Sequence, residues 1–201
     1  FEKFKVMFRD SIELSYAMFM QGLSMHKAKT RGKAIQIYQE VLDYFPDDPK
    51  VAPCALYFMG QAYIDNGDVR KGLQKMRDMV EHKSYRYHRL AANALVKLAT
   101  NHWRKEEYDQ ALKMYKQIIH DFEGENDDAT RDAYFKVIGW HIDQRDYTGW
   151  ENYFLGDDKK AWATTSLRYE AAQKAWHTAW NGFRGNTWKG RYPKDKQQDR
   201  V

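Results

Sequence analysis

The residues of this sequence that are most able to perform chemistry are its one cysteine and its seven histidines. Cys54 follows Pro53 at the start of a predicted helix, where the positive end of the helix dipole can lower the pKa of a thiol. A nucleophilic cysteine also needs an adjacent base, and no histidine has a spacing that would supply one. The histidines are at positions 26, 82, 88, 102, 120, 141 and 177. The sequence therefore predicts that Cys54 is structural and that the chain is not an enzyme.

Sites for metals and phosphates are not indicated either. His82 and His88 flank a predicted helix junction, but two histidines without further ligands do not form a metal site. The acidic segment 121–132 has the composition of a Ca²⁺ loop, yet Gly124 stands at its fourth position and not at the sixth, where the turn is required. The segment 30–34, TRGKA, lacks the upstream glycine and the Ser/Thr of a phosphate-binding loop. We therefore expect no metal and no cofactor.

Amphipathic helices are the elements that would position any functional side chain. In the segment 31–49, the apolar residues Ala34, Tyr38 and Val41 recur at spacings of three and four, the period of a helix with one buried face. Charged and amide side chains occupy most of the remaining positions. Pro46 cannot continue the helix, so the pattern predicts that the helix ends there.

The same pattern recurs along the chain. Ala34, Gly72 and Ala111 are spaced 38 and then 39 residues apart, and a preceding helix carries a second series of small residues with the same spacing, namely Gly22, Gly60 and Ala99. Small side chains at such positions allow two helix backbones to approach closely. We therefore expect residues 10–183 to be almost entirely helical, in antiparallel pairs. The predicted turns are 28–31, 65–68, 104–107 and 144–147.

Helix pairs with small residues at these positions, followed by an aromatic residue and a proline, resemble tetratricopeptide repeats. Gly22, Ala34, Tyr38 and Pro46 carry the pattern in the first unit. The matching residues of the next two units are Leu56, Gly60, Tyr63, Gly72, Ala99, Ala111 and Tyr115. The period is longer than the usual repeat of about 34 residues. The resemblance covers residues 14–155 and implies an all-α fold, a right-handed superhelix of antiparallel helix pairs.

The resemblance also implies an organisation into three parts. Residues 1–158 would hold three clear repeats and a degenerate fourth, in which Trp150 replaces a small residue. Residues 159–183 would form a C-terminal capping helix, because the last unit of a solenoid must cover its hydrophobic face. Residues 184–201 would form a basic tail. No apolar run approaches the length of about 18–20 residues that a membrane-spanning helix needs.

Proteins of this family are interaction scaffolds whose first helices line a concave surface. Transferring the inward positions of those helices gives a predicted peptide-binding set of Tyr16, Phe19, Leu23, Tyr57, Gln61, Ile64, Asn93, Thr100 and Trp103. Burial under a neighbouring helix or under a terminal extension of the chain is the open alternative for each of them. The set is apolar and aromatic and lacks the Lys and Asn pattern with which some family members hold a C-terminal carboxylate. It favours a protein or peptide partner that presents hydrophobic side chains.

Two further hypotheses rest on charge and on the repeat period. The chain carries a net charge of +5 with an isoelectric point near 9.1, and Lys189, Arg191, Lys194 and Lys196 of the tail could bind nucleic acid or an anionic surface. Such binding would weaken steeply with salt. The long period and the segment 44–49, YFPDDP, resemble bacterial cell-envelope members of the superfamily, which implies a periplasmic location rather than a cytoplasmic one. The oligomeric state and the identity of the partner stay open.

Overall fold

The structure, a computed structural model, describes residues 13–144, without the side chains of Asp127 and Ile142. This part of the chain contains seven α-helices, one short 3₁₀ helix and no strand. In chain order they are α1 (Leu14–Lys27), α2 (Arg31–Tyr44), α3 (Ala52–Asp65), α4 (Val69–Glu81), the 3₁₀ helix η1 (Tyr85–Tyr87), α5 (Arg89–Arg104), α6 (Tyr108–Phe122) and α7 (Asp127–Asp143). The predicted all-α helical-repeat fold is confirmed.

Short turns join the helices into the predicted pairs. They span residues 28–30, 66–68 and 105–107, within the segments that the sequence predicted. The fourth predicted turn is described only at its first residue, 144. Residues 1–12, the predicted capping helix at 159–183 and the basic tail lie outside the described residues.

Each of these three turns has the same backbone geometry. Lys29, Gly67 and Glu106 adopt left-handed conformations, with φ of 61°, 91° and 62°, and they recur with the spacing of the repeat. The following amide donates to a carbonyl five residues earlier, as in Thr30 N–H to Met25 O at 3.0 Å. The left-handed amide itself donates to a carbonyl three residues earlier, which completes a Schellman motif at the C-terminus of each first helix. A sharp reversal of the chain follows in every repeat.

Small residues sit at the crossings of paired helices, as the repeat pattern predicted. Gly22, Gly60 and Ala99 are all buried. A Cβ atom added to Gly22 would lie 2.6 Å from the ring of Tyr38, and one added to Gly60 would lie 3.1 Å from the carbonyl oxygen of Gly72. The backbones of α3 and α4 therefore cross in direct contact, because neither glycine has a side chain to hold them apart.

The core of residues up to Met114 runs through successive helices. Helix α1 packs on α2, α2 on α3, α3 on α4 and α4 on α5. A single apolar cluster links α1, α2 and α3; its buried members include Met18, Phe19, Ala34, Tyr38, Val41, Ala55 and Met59. From α1 to α5, each helix therefore packs against the next helix in the chain.

The residues from Tyr115 onward form a second compact unit. Its described part contains the end of α6 and all of α7, with Phe122, Tyr134 and Ile138 buried. The Tyr134 hydroxyl donates to Glu123 Oε1 at 2.6 Å. Asn126 caps α7 by accepting the amide of Ala129 through Oδ1 at 3.2 Å. The predicted degenerate fourth repeat begins here, and its second helix lies outside the described part.

Candidate binding surface on the inner helices

The nine predicted binding residues are distributed over the first helix of each pair. These helices are α1, α3 and α5, called the inner helices below because the repeat pattern predicts that they face inward. They lie side by side, since α1 contacts α3 and α3 contacts α5. The helix pairing therefore brings the three groups of residues onto neighbouring helices. Their individual side chains differ in how much surface they offer.

Helix α1 offers the clearest apolar surface. Tyr16 is 57% exposed, and Met20, one turn later, is 39% exposed. Leu23 is half-buried on the next turn. The sequence pattern had omitted Met20, although its spacing of four from Tyr16 places it on the same face of the helix.

Phe19 corrects the predicted binding set. It is only 8% exposed, and its ring centroid lies 6.0 Å from that of Tyr38 and 5.7 Å from that of Phe58. The side chain thus inserts between α2 and α3. Phe19 is a core residue, because its position on α1 points toward the junction of three helices and not toward solvent.

Helix α3 contributes one aromatic residue and a polar network. Tyr57 is half-buried, its ring meets Phe58 edge-on at 5.3 Å, and burial raises the pKa of its hydroxyl. Gln61 donates to Asp65 Oδ1 at 2.8 Å. Ile64 is also half-buried, but its Cγ1 lies against Gly72 of α4, so part of this side chain is used in the α3–α4 contact.

A hydrogen bond that the sequence pattern did not predict joins the first two inner helices. His26 Nε2 at the end of α1 lies 2.9 Å from Asp65 Oδ2 at the end of α3. Partial burial opposes ionisation of Asp65, but the hydrogen bonds from His26 and Gln61 lower the pKa of its carboxyl. This pair fixes the ends of α1 and α3 relative to each other.

Helix α5 carries the remaining predicted residues. Asn93, Thr100 and Trp103 are half-buried, and each takes part in further side-chain interactions. The ring of Trp103 meets Tyr108 of α6 edge-on, with centroids 5.2 Å apart. Part of the Trp103 side chain is therefore used in the contact of α5 with α6.

A tetratricopeptide-repeat family model matches residues 16–48 and 93–124. These stretches coincide with α1 and α2, and with α5 and α6. The chain contains tetratricopeptide repeats. No curated protein matches the sequence.

Tetratricopeptide repeats generally mediate interactions between proteins, and they are typically parts of non-enzymatic scaffolds. The pair α3 and α4 lies between the two matched stretches and has the same turn geometry as its neighbours. The resemblance to cell-envelope members of the family stays a prediction. So does the basic anionic-partner site of Lys189, Arg191, Lys194 and Lys196, which lies outside the described residues.

The structure places a histidine next to the one cysteine, which the spacing of the histidines in the sequence did not predict. Cys54 lies in the first turn of α3, and its Sγ is 4.0 Å from Nε2 of His88. Burial raises the pKa of the thiol and outweighs the opposing effect of Arg89. Across residues 13–144, no group of three His, Cys, Asp or Glu side chains is placed to hold a metal ion. None of the helices in this range is long and apolar enough to cross a membrane.

Proposed function

We propose that this protein is a scaffold that binds a segment of a partner protein through hydrophobic side chains along α1 and α3, with α5 extending the surface. The observation that carries this proposal is the exposed apolar face of α1, formed by Tyr16 and Met20. Exposed apolar side chains that are contiguous and rimmed by polar residues are typical of interaction sites. Tyr57 on α3 extends the same apolar character to the neighbouring helix.

The charge of these two helices supports an apolar ligand. Helix α1 contains no acidic residue, and the only one in α3 is Asp65, which is engaged by His26 and Gln61. A strongly basic ligand would find no uncommitted carboxylate on α1 or α3. Aromatic rings that are held in place by their neighbours make efficient anchors, since they lose little conformational entropy when a ligand binds.

Two aromatic substitutions on the first helices of neighbouring pairs, with a control on a second helix, test this proposal. Once a partner segment is in hand, its affinity is measured by calorimetry for Tyr16→Ala, Tyr57→Ala and Tyr44→Ala. Tyr44 is the matched control, because it is a 72%-exposed tyrosine on α2, the second helix of its pair. We expect each inner-helix change to weaken binding by at least about 2 kcal/mol if the ring is an anchor, and Tyr44→Ala to have no effect.

The control also supplies the contradicting outcome. If Tyr44→Ala weakens binding and the inner-helix variants do not, the partner occupies the second helices. Circular dichroism of each variant separates lost binding from lost folding. An affinity that falls steeply with added salt would favour the basic tail instead, because contacts between apolar groups are insensitive to screening.

A further inference from the structure

Two histidines act as hydrogen-bond acceptors in the segment between α4 and α5. His82 Nδ1 accepts the backbone amide of Tyr85 at 3.2 Å and that of Ser84 at 3.3 Å. His88 Nδ1 accepts the amide of Leu90 at 3.2 Å and thereby caps α5. A ring nitrogen that accepts a hydrogen bond carries no proton. Both caps therefore require the neutral imidazole, with the proton on Nε2.

Other acceptors of backbone amides at or before the starts of described helices are side chains that do not titrate near neutral pH. Asp48 Oδ1 accepts the amides of Lys50 and Val51 at 2.9 and 3.0 Å before α3. Asn126 accepts an amide at the start of α7. Histidine is the side chain whose ordinary pKa falls between pH 5 and 8. Of these three helix starts, those of α3, α5 and α7, only that of α5 depends on a side chain that mild acid can protonate.

Protonation would act on this junction in two ways. The imidazolium places an N–H where the backbone amide already points, so the hydrogen bond of the cap is lost. It also places a positive charge at the positive end of the α5 dipole, which is unfavourable. Asparagine at the same position would keep an acceptor and add no charge.

The capped segment holds a contact between repeats. Tyr85 of η1 is only 6% exposed, its hydroxyl donates to the carbonyl oxygen of Pro46 before α3, and its ring stacks on His82 with centroids 3.7 Å apart. The hydrogen bond to His82 Nδ1 also holds the backbone amide of Tyr85 in position. Loss of this hydrogen bond would therefore weaken the contact between η1 and the turn at Pro46.

The charged and titratable neighbours come from each element that meets the junction. Cys54 of α3 faces His88, and Arg89 follows it on α5. Burial, and next the charge of Arg89, lower the pKa of His88. Burial, together with Asp47 and Asp48 from the turn before α3, raises the pKa of Tyr85, which keeps its hydroxyl protonated and able to donate.

The remaining charged neighbours are close in sequence to His82 and His88. Glu81 and Lys83 adjoin His82, and Arg86 of η1 lies over the ring of Tyr87 at 5.4 Å.

Since the folded pKa of His88 lies below its ordinary value, the imidazole of His88 takes up a proton less readily in the folded protein than in the unfolded chain. The stability associated with neutral His88 is full above about pH 6.5 and is lost as the pH falls toward the folded pKa.

We propose that the segment 82–90 is a pH-sensitive joint between the second and third helix pairs. Protonation of its two histidines releases the caps of η1 and α5 and loosens the contact of Tyr85 with the turn before α3. The joint lies between the repeats that carry Tyr57 and Asn93. Acid would therefore alter the spacing of the inner helices without unfolding them.

Hydrogen exchange across a pH series tests this joint. Protection of the backbone amides in 84–92 is measured on the whole chain at pH 7.5, 6.5 and 5.5, with exchange times scaled for the intrinsic pH dependence of the chemistry. We expect protection to fall about threefold to thirtyfold, the range that the loss of one helix cap gives. The amides of 69–74 at the start of α4 provide the internal control and should keep their protection, because their cap is Asp68, whose Oδ1 accepts the amide of Lys71 at 3.1 Å.

The double variant His82→Asn, His88→Asn should show a protection in 84–92 that changes less than about twofold over the same range, since asparagine remains a capping residue at every pH. A fall in the variant as large as in the wild type would overturn the proposal, as would constant protection in the wild type. Nitrogen-15 spectra of the wild-type histidine rings at pH 7.5 give a check that needs no variant. Protonated Nδ1 atoms on residues 82 and 88 at that pH would also overturn it.

Discussion

The crossing of α3 over α4 makes a quantitative prediction for Gly72→Ala. A Cβ on this residue would lie 2.6 Å from the carbonyl oxygen of Gly60, and it would also overlap Cγ1 of Ile64. The isoleucine can change rotamer, but the carbonyl belongs to the helix backbone and moves only with α3 itself. Forcing extra atoms into a packed contact costs about 1–3 kcal/mol. Because this clash is with backbone, the cost falls in the upper part of that range, about 2–3 kcal/mol. Alanine regains about 1 kcal/mol of helix propensity, so the expected net loss is about 1–2 kcal/mol.

Two other glycines calibrate this effect. At Gly60 an added Cβ would stay 3.1 Å from its nearest neighbours, while at Gly32 it would meet nothing within 4 Å. We therefore expect Gly60→Ala to destabilise less than Gly72→Ala, and Gly32→Ala to stabilise by up to about 1 kcal/mol through propensity alone.

Urea unfolding followed by circular dichroism at 222 nm measures all three variants. The midpoint should fall for Gly72→Ala and rise for Gly32→Ala. A Gly72→Ala protein as stable as the wild type would refute the reasoning, because it would show that α3 and α4 can separate at no cost. Gly32→Ala is the control for effects that any replacement of glycine by alanine would have in this chain.

Three further predictions follow from buried polar groups and from the turns. Tyr38→Phe should leave stability unchanged or raise it, since its buried hydroxyl has no hydrogen-bond partner. Tyr85→Phe should lower the free energy of unfolding by about 1 kcal/mol, because the carbonyl oxygen of Pro46 loses its hydroxyl donor. Gly67→Ala should destabilise the protein and Lys29→Gly should stabilise it, each by roughly 1 kcal/mol, because only glycine tolerates the left-handed backbone without strain. Thermal melts in which Gly67→Ala raises the melting temperature and Lys29→Gly lowers it would contradict the turn geometry. Partial burial raises the pKa of Asp48, but its hydrogen bonds outweigh this effect and lower the pKa. The stabilising effect of the Asp48 carboxylate is therefore present above about pH 4 and is lost as the pH falls through the folded pKa. The difference in free energy of unfolding between wild type and Asp48→Ala, measured by urea unfolding, should become smaller in that range.

The helix pairs could be predicted from sequence because their determinants are local and periodic. The spacing of Gly22, Gly60 and Ala99 marks where backbones meet, and polar segments between apolar stripes mark the turns. The left-handed residues were harder to predict, since only Gly67 is of a residue type that favours this conformation. Lys29 and Glu106 adopt it through the hydrogen bonds of the Schellman motif, whose partners are backbone groups and leave no trace in composition.

The exposure of the candidate binding residues could not be predicted from the sequence, because the neighbours of a helix decide which of its faces is buried. Tyr16 and Phe19 both belong to α1 and both fit the transferred pattern, yet one is exposed and the other is buried between α2 and α3. Met20 fell outside the pattern although its side chain reaches solvent. The capping role of His88 depends on which ring nitrogen meets the amide of Leu90, and residue type alone does not determine that.

The turn at Pro46 to Asp48 has a consequence for how the protein unfolds. Asp48 Oδ2 accepts a hydrogen bond at 2.7 Å from Ser15, 33 residues earlier in the chain. The carbonyl of Pro46 accepts one from Tyr85, 39 residues later. In an ordinary repeat array each unit interacts only with its neighbours, so the ends can fray one unit at a time. Here a single connection is bonded from both sides, and opening either flank removes a partner from it. Residues 15–85 should consequently denature as one cooperative block rather than unravel in steps.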